Sequence, residues 1–96
     1  MENSRKNKNI EIFWLLCGRE FCGIDLSNRE LRNGALTGTC FSNSNLSGSD
    51  FSWSDLSDSY FTNTNMRFSK LEHCDLRGTN LSNADLTGAK LTDSLF

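Results

Sequence analysis

A large apolar residue recurs at every fifth position from Phe21 to Phe96. The sixteen members of this column, in unbroken register, are Phe21, Leu26, Leu31, Leu36, Phe41, Leu46, Phe51, Leu56, Phe61, Met66, Leu71, Leu76, Leu81, Leu86, Leu91 and Phe96. A period of five fits neither an α-helix, which repeats every 3.6 residues, nor a strand, which repeats every two. The column therefore predicts a backbone that bends regularly, once in each unit of five.

Two further columns follow the same period. The residue two places before each large one is small at all thirteen positions from Gly34 to Ser94. The residue two places after it is Gly, Asn or Asp at twelve of fifteen positions from Gly23 to Asp93, and these types tolerate the positive φ of tight turns. We expect one large and one small side chain to point inward from each short side. Four sides then close a coil of twenty residues, and coils stack at about the 4.8 Å spacing of β-structure.

The units SGSDF, SWSDL, SNADL and TGAKL resemble pentapeptide repeats. The resemblance covers residues 21–96 and implies an all-β fold, the right-handed quadrilateral β-helix, here with about four coils. The segment LLCGREFCGIDLSNREL, Leu15 to Leu31, is also similar to small bacterial, notably cyanobacterial, members of this family. In those members a short helix ends at a glycine just before the first coil.

The chain divides into three predicted segments. Residues 1–9 are a flexible polar N-terminus, residues 10–18 are a capping α-helix, and residues 19–96 are the pentapeptide-repeat β-helix. The helix is predicted because its apolar residues follow Asn9, a helix N-cap type, and precede Gly18, a helix-ending type. Arg19 and Arg29 occupy the small column of the first coil. Because burying an unpaired guanidinium is costly, we expect that coil to be loosened at two corners.

The four cysteines show neither the paired spacing of a zinc site nor a dense disulfide framework. We expect reduced thiols in a cytoplasmic protein; a disulfide between Cys22 and Cys40 is disfavoured because the two are offset along one wall. Secretion is the alternative, but the apolar run after the basic N-terminus contains Glu11, and Leu16 stands where a small residue should precede a cysteine. No stretch approaches the roughly 20 apolar residues of a membrane span.

The sequence predicts no enzymatic activity, no catalytic residue and no cofactor. A rod filled with Leu and Phe offers little concavity, and His73 should point outward while Cys74 points inward. Asp55 and Asp75 should stack, but two carboxylates are too few for a hard cation. No outward face is strongly basic, so direct nucleic-acid binding is not expected.

Three corner positions depart from Gly, Asn and Asp: Trp53, Phe68 and His73. Together with Arg67 and Lys70 they form a candidate partner-binding patch, since exposed aromatic residues rimmed by charge are typical of binding hot spots. The alternative is that Trp53 and His73, which are twenty residues apart, only stabilise each other by stacking.

These features predict a non-enzymatic solenoid scaffold for protein–protein interaction. Leu95 and Phe96 in the last coil predict a homodimer that meets end to end, because open coil edges favour association. The family resemblance implies an alternative, a DNA mimic that protects topoisomerases such as gyrase. Members with that role are longer, carry loops between coils and are strongly acidic, whereas this chain has a net charge of −2.

Overall fold

The computed structural model of the protein describes residues 22–96. Over this range the strands are reduced to single bridge residues, one in each pentapeptide, and there is no helix. Parallel bridges join each such residue to the one twenty places later, from Asp25↔Asn45 through Asp75↔Leu95. The chain therefore forms stacked twenty-residue coils with four sides, which confirms the all-β solenoid. The predicted polar N-terminus (1–9) and capping helix (10–18) lie outside the described residues.

Every side ends in the same tight turn. The third residue of each turn has φ between 56° and 75° at all fifteen positions from Gly23 to Asp93. In most of these turns the backbone N–H of the fourth residue donates to the carbonyl of the first, as from Ser59 N to Leu56 O at 3.2 Å. This geometry is that of a type II turn, which requires a positive φ at its third residue. The Gly/Asn/Asp column thus marks the corners, as predicted.

Backbone hydrogen bonds join the coils in a fixed pattern, which the unit beginning at Phe61 illustrates. Phe61 N and Asn63 N donate to carbonyls nineteen residues later, at 2.8 and 2.9 Å. Asn65 N donates to a carbonyl twenty-one residues earlier at 3.0 Å, and Thr64 N closes the turn at 3.1 Å. Four of the five backbone N–H groups in a unit are thereby paired within the main chain.

In eight units the fifth N–H group is paired by an outward Asp or Asn side chain. Asp55 Oδ1 accepts a hydrogen bond from Ser57 N at 3.0 Å, across the intervening large residue. In eight places a side-chain Oδ1 accepts a hydrogen bond from the backbone N–H two residues later. These side chains are Asp25, Asn45, Asp50, Asp55, Asn65, Asp75, Asn80 and Asp85. Local bonds of this kind are typical of Asp and Asn in turns. These residues complete the turn as well as facing water.

The large column forms the core. Phe41, Phe51 and Phe61 are fully buried, as are the leucines of the two central coils. The rings of Phe41 and Phe61 stack at 5.3 Å between centroids with an 8° interplanar angle, and Phe51 packs edge-on to Phe41 at 5.9 Å. Phenylalanines twenty residues apart, Phe41 and Phe61, thus stack inside the coil.

The small column contributes buried hydrogen bonds as well as space. Ser54 Oγ accepts from Gly34 N at 2.9 Å and donates to Leu31 O at 2.9 Å, so one hydroxyl joins two coils. Ser69 Oγ instead donates to Met66 O within its own turn, at 2.8 Å. Among residues 22–96 no buried side-chain nitrogen or oxygen lacks a hydrogen-bond partner. The hydroxyl groups explain why this column is rich in Ser and Thr rather than in Ala alone.

The first coil keeps the regular geometry from residue 22 onward. Its corners at Gly23 and Asn28 have φ of 75° and 56°, and its bridges to the second coil are formed. The expected loosening is therefore wrong for the described part of this coil, because the backbone ladder to the next coil holds it in register. Arg29 remains partly exposed in its inward column, so its charge is not fully desolvated. Arg19 lies outside the described residues.

Candidate partner-binding surface

Trp53 and His73 form a stacked pair at one corner of the solenoid. Their ring centroids are 4.0 Å apart and the ring planes differ by 9°. His73 Nε2 lies 3.7 Å from Asp93 Oδ2, at the same corner of the next coil. We call this column of Trp53, His73 and Asp93 the corner ridge. Trp53 retains 56% of its exposure, so the indole remains accessible despite the stacking.

Phe68 lies at the neighbouring corner, with 61% of its surface exposed. Its ring rests over Gly88 of the next coil: a Cβ atom on Gly88 would lie 2.5 Å from Phe68 Cδ1, and Gly88 has φ +72°. The guanidinium carbon of Arg67 is 5.8 Å from the centre of the Phe68 ring, within cation–π range. Arg67 Nη1 also lies 3.8 Å from Asp85 Oδ2.

The predicted patch is thus divided between two corners. Trp53 and His73 are together at one, Arg67 and Phe68 at the other, and exposed Lys70 lies on the side between them. Within the described residues no ring contact connects Phe68 to the stacked pair. The twenty-residue period correctly indicated the stack, whereas adjacency of corners did not bring the third aromatic ring into contact.

A shallow groove that was not predicted lies beside the corner ridge. It has a volume of about 430 Å³. Its lining residues are Trp53, Ser54, Asp55, His73, Cys74, Asp75, Asp93 and Leu95. The bulky Trp53 and His73 rise above a side on which Asp55 and Asp75 are shorter. The sequence could have indicated this groove, because it has large residues at a corner next to short residues on the adjoining side.

Two of the carboxylates that line the groove, those of Asp55 and Asp75, are stabilised in the ionised form. Arg77 Nε and Nη2 donate to Asp75 Oδ1 and Oδ2 at 2.9 and 2.7 Å. This pair, aided by the Arg77 backbone N–H, lowers the pKa of Asp75 to about 2. The hydroxyl and then the backbone N–H of Ser57 lower the pKa of Asp55, with the charge of Asp75 opposing them.

Acid should weaken the fold partly through Asp75. The pKa of Asp75 is depressed in the folded state, so its contribution to stability is present above the unfolded value of about 3.9 and is lost as pH falls through about 2. Asp75→Asn keeps an Oδ1 acceptor but cannot titrate. We expect the melting temperature of Asp75→Asn to fall less than that of the unmodified protein between pH 5 and about pH 2. Parallel curves for the two proteins, measured by circular dichroism, would contradict this assignment.

Cys74 and His73 are not arranged for nucleophilic catalysis. The Cys74 side chain is buried, and its Sγ donates to Phe51 O at 2.9 Å. Burial raises the pKa of this thiol to about 11, so the thiol stays protonated at neutral pH. His73 points outward against Trp53, as the sequence predicted. No group of three potential metal ligands occurs within residues 22–96.

Cys22 and Cys40 are closer than their positions in the repeat suggested. Their Sγ atoms are 3.3 Å apart, so the offset between them in the repeat does not keep the two thiols apart as expected. Cys40 occupies the outward position from which Asp and Asn elsewhere reach toward the following turn, and its Sγ lies 3.5 Å from Ser42 Oγ. Cys22 lies twenty residues before Ser42, one coil away at this corner. The Cys40 side chain therefore leans over the corner and meets Cys22.

The stacked four-sided coils define the protein as a β-helical solenoid. The family model described as pentapeptide repeats matches residues 59–96 with eight copies. Residues 59–96 are therefore pentapeptide repeats, and similar pentapeptide repeat proteins of known structure imply a right-handed coil. No curated protein matches the sequence.

Several solved structures are similar to this chain. A pentapeptide repeat protein from the Arabidopsis thaliana thylakoid lumen has a TM-score of 0.59 and 26% identity over 85% of this chain and 53% of its own. One from Nostoc has a TM-score of 0.51 and 25% identity over 82% of this chain and 73% of its own. QnrB1, a plasmid-mediated fluoroquinolone resistance protein, has a TM-score of 0.51 and 24% identity over 82% and 44%.

The likeness to QnrB1 concerns the fold alone, because the identity is low. The chain spans about half the length of the Arabidopsis protein, 53%. Among residues 22–96 there is no helix long and apolar enough to cross a membrane.

Proposed function

We propose that the protein is a non-enzymatic scaffold that binds a partner protein through the corner ridge and the groove beside it. The observation that carries this proposal is the backbone at the exposed aromatic corners. Trp53, Phe68 and His73 have φ of 66°, 58° and 57°, a conformation that bulky residues rarely adopt. Gly, Asn or Asp would fit these corners with less strain. Strain held at an accessible aromatic surface supports a role in binding.

The charge of the groove indicates the chemistry of the partner. Asp55, Asp75 and Asp93 line the groove, and Arg77 compensates only one of them directly. The exposed indole of Trp53 provides a surface on which a guanidinium can stack. We therefore propose an arginine-containing segment of the partner as the occupant, with its cation between the indole and the carboxylate of Asp55.

A labelled oligo-arginine peptide of about six residues tests this proposal by fluorescence anisotropy. Trp53→Ala should weaken binding of the peptide about tenfold or more, which corresponds to about 1.4 kcal/mol. Asp55→Asn should weaken it as well, because it removes a charge and keeps the turn acceptor. Tyr60→Ala is the matched control: Tyr60 is also exposed, at 51%, but it lies on a different side of the coil. An equal loss with Tyr60→Ala, or no binding of the peptide, would contradict the proposal.

A melting experiment separates binding from a purely structural role of the ridge. If Trp53 and His73 serve only to stabilise each other, Trp53→Ala should lower the melting temperature while peptide binding tracks the folded fraction. Under the binding proposal the melting temperature changes little, since surface substitutions usually alter stability by about 0.5 kcal/mol or less. The two readouts therefore distinguish the alternatives that the sequence left open.

Leu95 and Phe96 are 52% and 68% exposed, and the homodimer through them stays a prediction. The topoisomerase-protecting alternative gains no support beyond the shared fold, since the likeness to QnrB1 is at 24% identity.

A further inference from the structure

The corner that joins the first two coils brings two thiols within reach of each other. Cys22 Sγ and Cys40 Sγ are 3.3 Å apart, so a disulfide of about 2.05 Å requires a further approach of only about 1.3 Å. Cys22 is exposed and Cys40 is partly exposed, so a small reagent has access to the pair. The geometry is specific to this corner, since within residues 22–96 the remaining cysteine, Cys74, is buried elsewhere in the core.

The backbone around the pair is already held in place. Gly23 N, next to Cys22, donates to Ser42 O in the second coil at 3.0 Å. Phe41, next to Cys40, is fully buried and its N–H donates to the third coil at 2.7 Å. Because backbone hydrogen bonds hold both chain segments, little conformational entropy is lost when the sulfur atoms bond.

We propose that Cys22 and Cys40 form a dithiol site that reacts with low-molecular-weight disulfides such as oxidised glutathione. The thiolate of one cysteine attacks a sulfur of the reagent, forms a mixed disulfide and releases one glutathione thiol. The thiolate of the other cysteine then attacks the Sγ of the first cysteine in this mixed disulfide, breaks its bond to the glutathione sulfur and releases the second glutathione thiol. The two protein thiols lose two protons and two electrons, and these reduce one oxidised glutathione to two thiols. The product is an intramolecular disulfide that joins the first coil to the second.

Cys74 provides a control inside the same molecule. Its thiol is buried, its pKa is raised to about 11, and its Sγ donates to a core carbonyl. Low exposure and a high pKa both disfavour the thiolate that exchange requires. Cys74 should therefore remain a thiol under conditions that oxidise the pair.

Trypsin cleavage can identify the bond directly, because each cysteine falls in its own peptide. The peptides are residues 9–19 with Cys17, 20–29 with Cys22, 33–67 with Cys40 and 71–77 with Cys74. After incubation of the full chain with oxidised glutathione and alkylation, we expect a disulfide-linked pair of peptides 20–29 and 33–67. The intact mass should fall by about 2 Da, since one disulfide forms at the expense of two hydrogens.

Variants decide whether the pair acts as one site. Cys22→Ser and Cys40→Ser should each abolish the linked peptides, whereas Cys74→Ser should leave them unchanged, because serine already occupies that column in neighbouring coils. The oxidised protein should also melt at a higher temperature than the reduced one, since the crosslink restricts the unfolded chain. A link from peptide 9–19, a stable glutathione adduct on Cys22 or Cys40, or unreacted thiols would overturn the proposal.

Discussion

Phe61→Ala is expected to lower the free energy of unfolding by about 3–5 kcal/mol, the range for truncating a buried phenylalanine. The Phe61 side chain is fully buried and stacks on Phe41 at 5.3 Å between ring centroids. The coils above and below are tied by backbone bonds, so they cannot close around the cavity without breaking the ladder. Urea unfolding followed by circular dichroism measures the loss.

Phe68→Ala is the matched control for this prediction. It removes the same ring from a corner position where 61% of the side chain is exposed. The expected change is about 0.5 kcal/mol or less, which is usual for surface substitutions. Similar losses for the two variants would mean that the fivefold frame does not separate core from surface in the way described above.

Ser54→Ala is expected to cost about 1–3 kcal/mol, although it removes a single oxygen atom from the side chain. Ser54 Oγ pairs with both Gly34 N and Leu31 O, each at 2.9 Å, at a site that excludes water. The alanine variant leaves these two backbone groups buried without that partner, and a buried unsatisfied polar group costs about 1–3 kcal/mol.

Ser69→Ala tests whether the coil-to-coil bond causes this effect. Ser69 is equally buried in the same column, but its hydroxyl donates only to Met66 O, which also accepts the Ser69 backbone N–H at 3.2 Å. No backbone donor loses its partner in this variant. Chemical denaturation should show a clearly smaller loss than for Ser54→Ala, and equal losses would refute the role assigned to the inter-coil hydroxyl.

The five-residue frame that sets the coils and corners follows from side-chain size and turn chemistry. For this reason the sequence was sufficient to predict the frame. A large residue at each fifth position and a turn-forming residue two places later leave few other arrangements. The frame also placed His73 directly over Trp53, and the rings do stack. Even the corners that depart from Gly, Asn and Asp adopt positive φ, because the surrounding coils impose the turn.

Hydrogen bonding was harder to predict from the same columns. The outward Asp and Asn residues look solvent-exposed in the sequence, yet Asp55 and its equivalents complete the turns. The column of small residues was interpreted by volume, although Ser54 acts through its hydroxyl. Both roles depend on which backbone groups the turn leaves unpaired, and size and polarity alone do not give that information.

The sequence predicted only part of the candidate site, because side-chain directions do not follow from the repeat. The register of the repeat shows which residues lie above one another, but it does not show the direction in which a side chain leans. Cys40 leans over the corner toward Cys22, and Phe68 lies over Gly88 instead of approaching the corner ridge. The groove was missed because a rod with a filled interior was expected to be convex on every side.

The pattern of backbone hydrogen bonds has an electrostatic consequence for the whole rod. In each unit that lies between two other coils, two N–H groups, such as those of Phe61 and Asn63, donate toward the following coil, and only one, such as that of Asn65, donates toward the preceding coil. The peptide dipoles therefore cancel incompletely, unlike those of most sheets, and one net dipole per pentapeptide adds along the axis. The solenoid is electrically polar, with its positive pole toward the later coils, so a charged partner would distinguish one direction along the rod from the other.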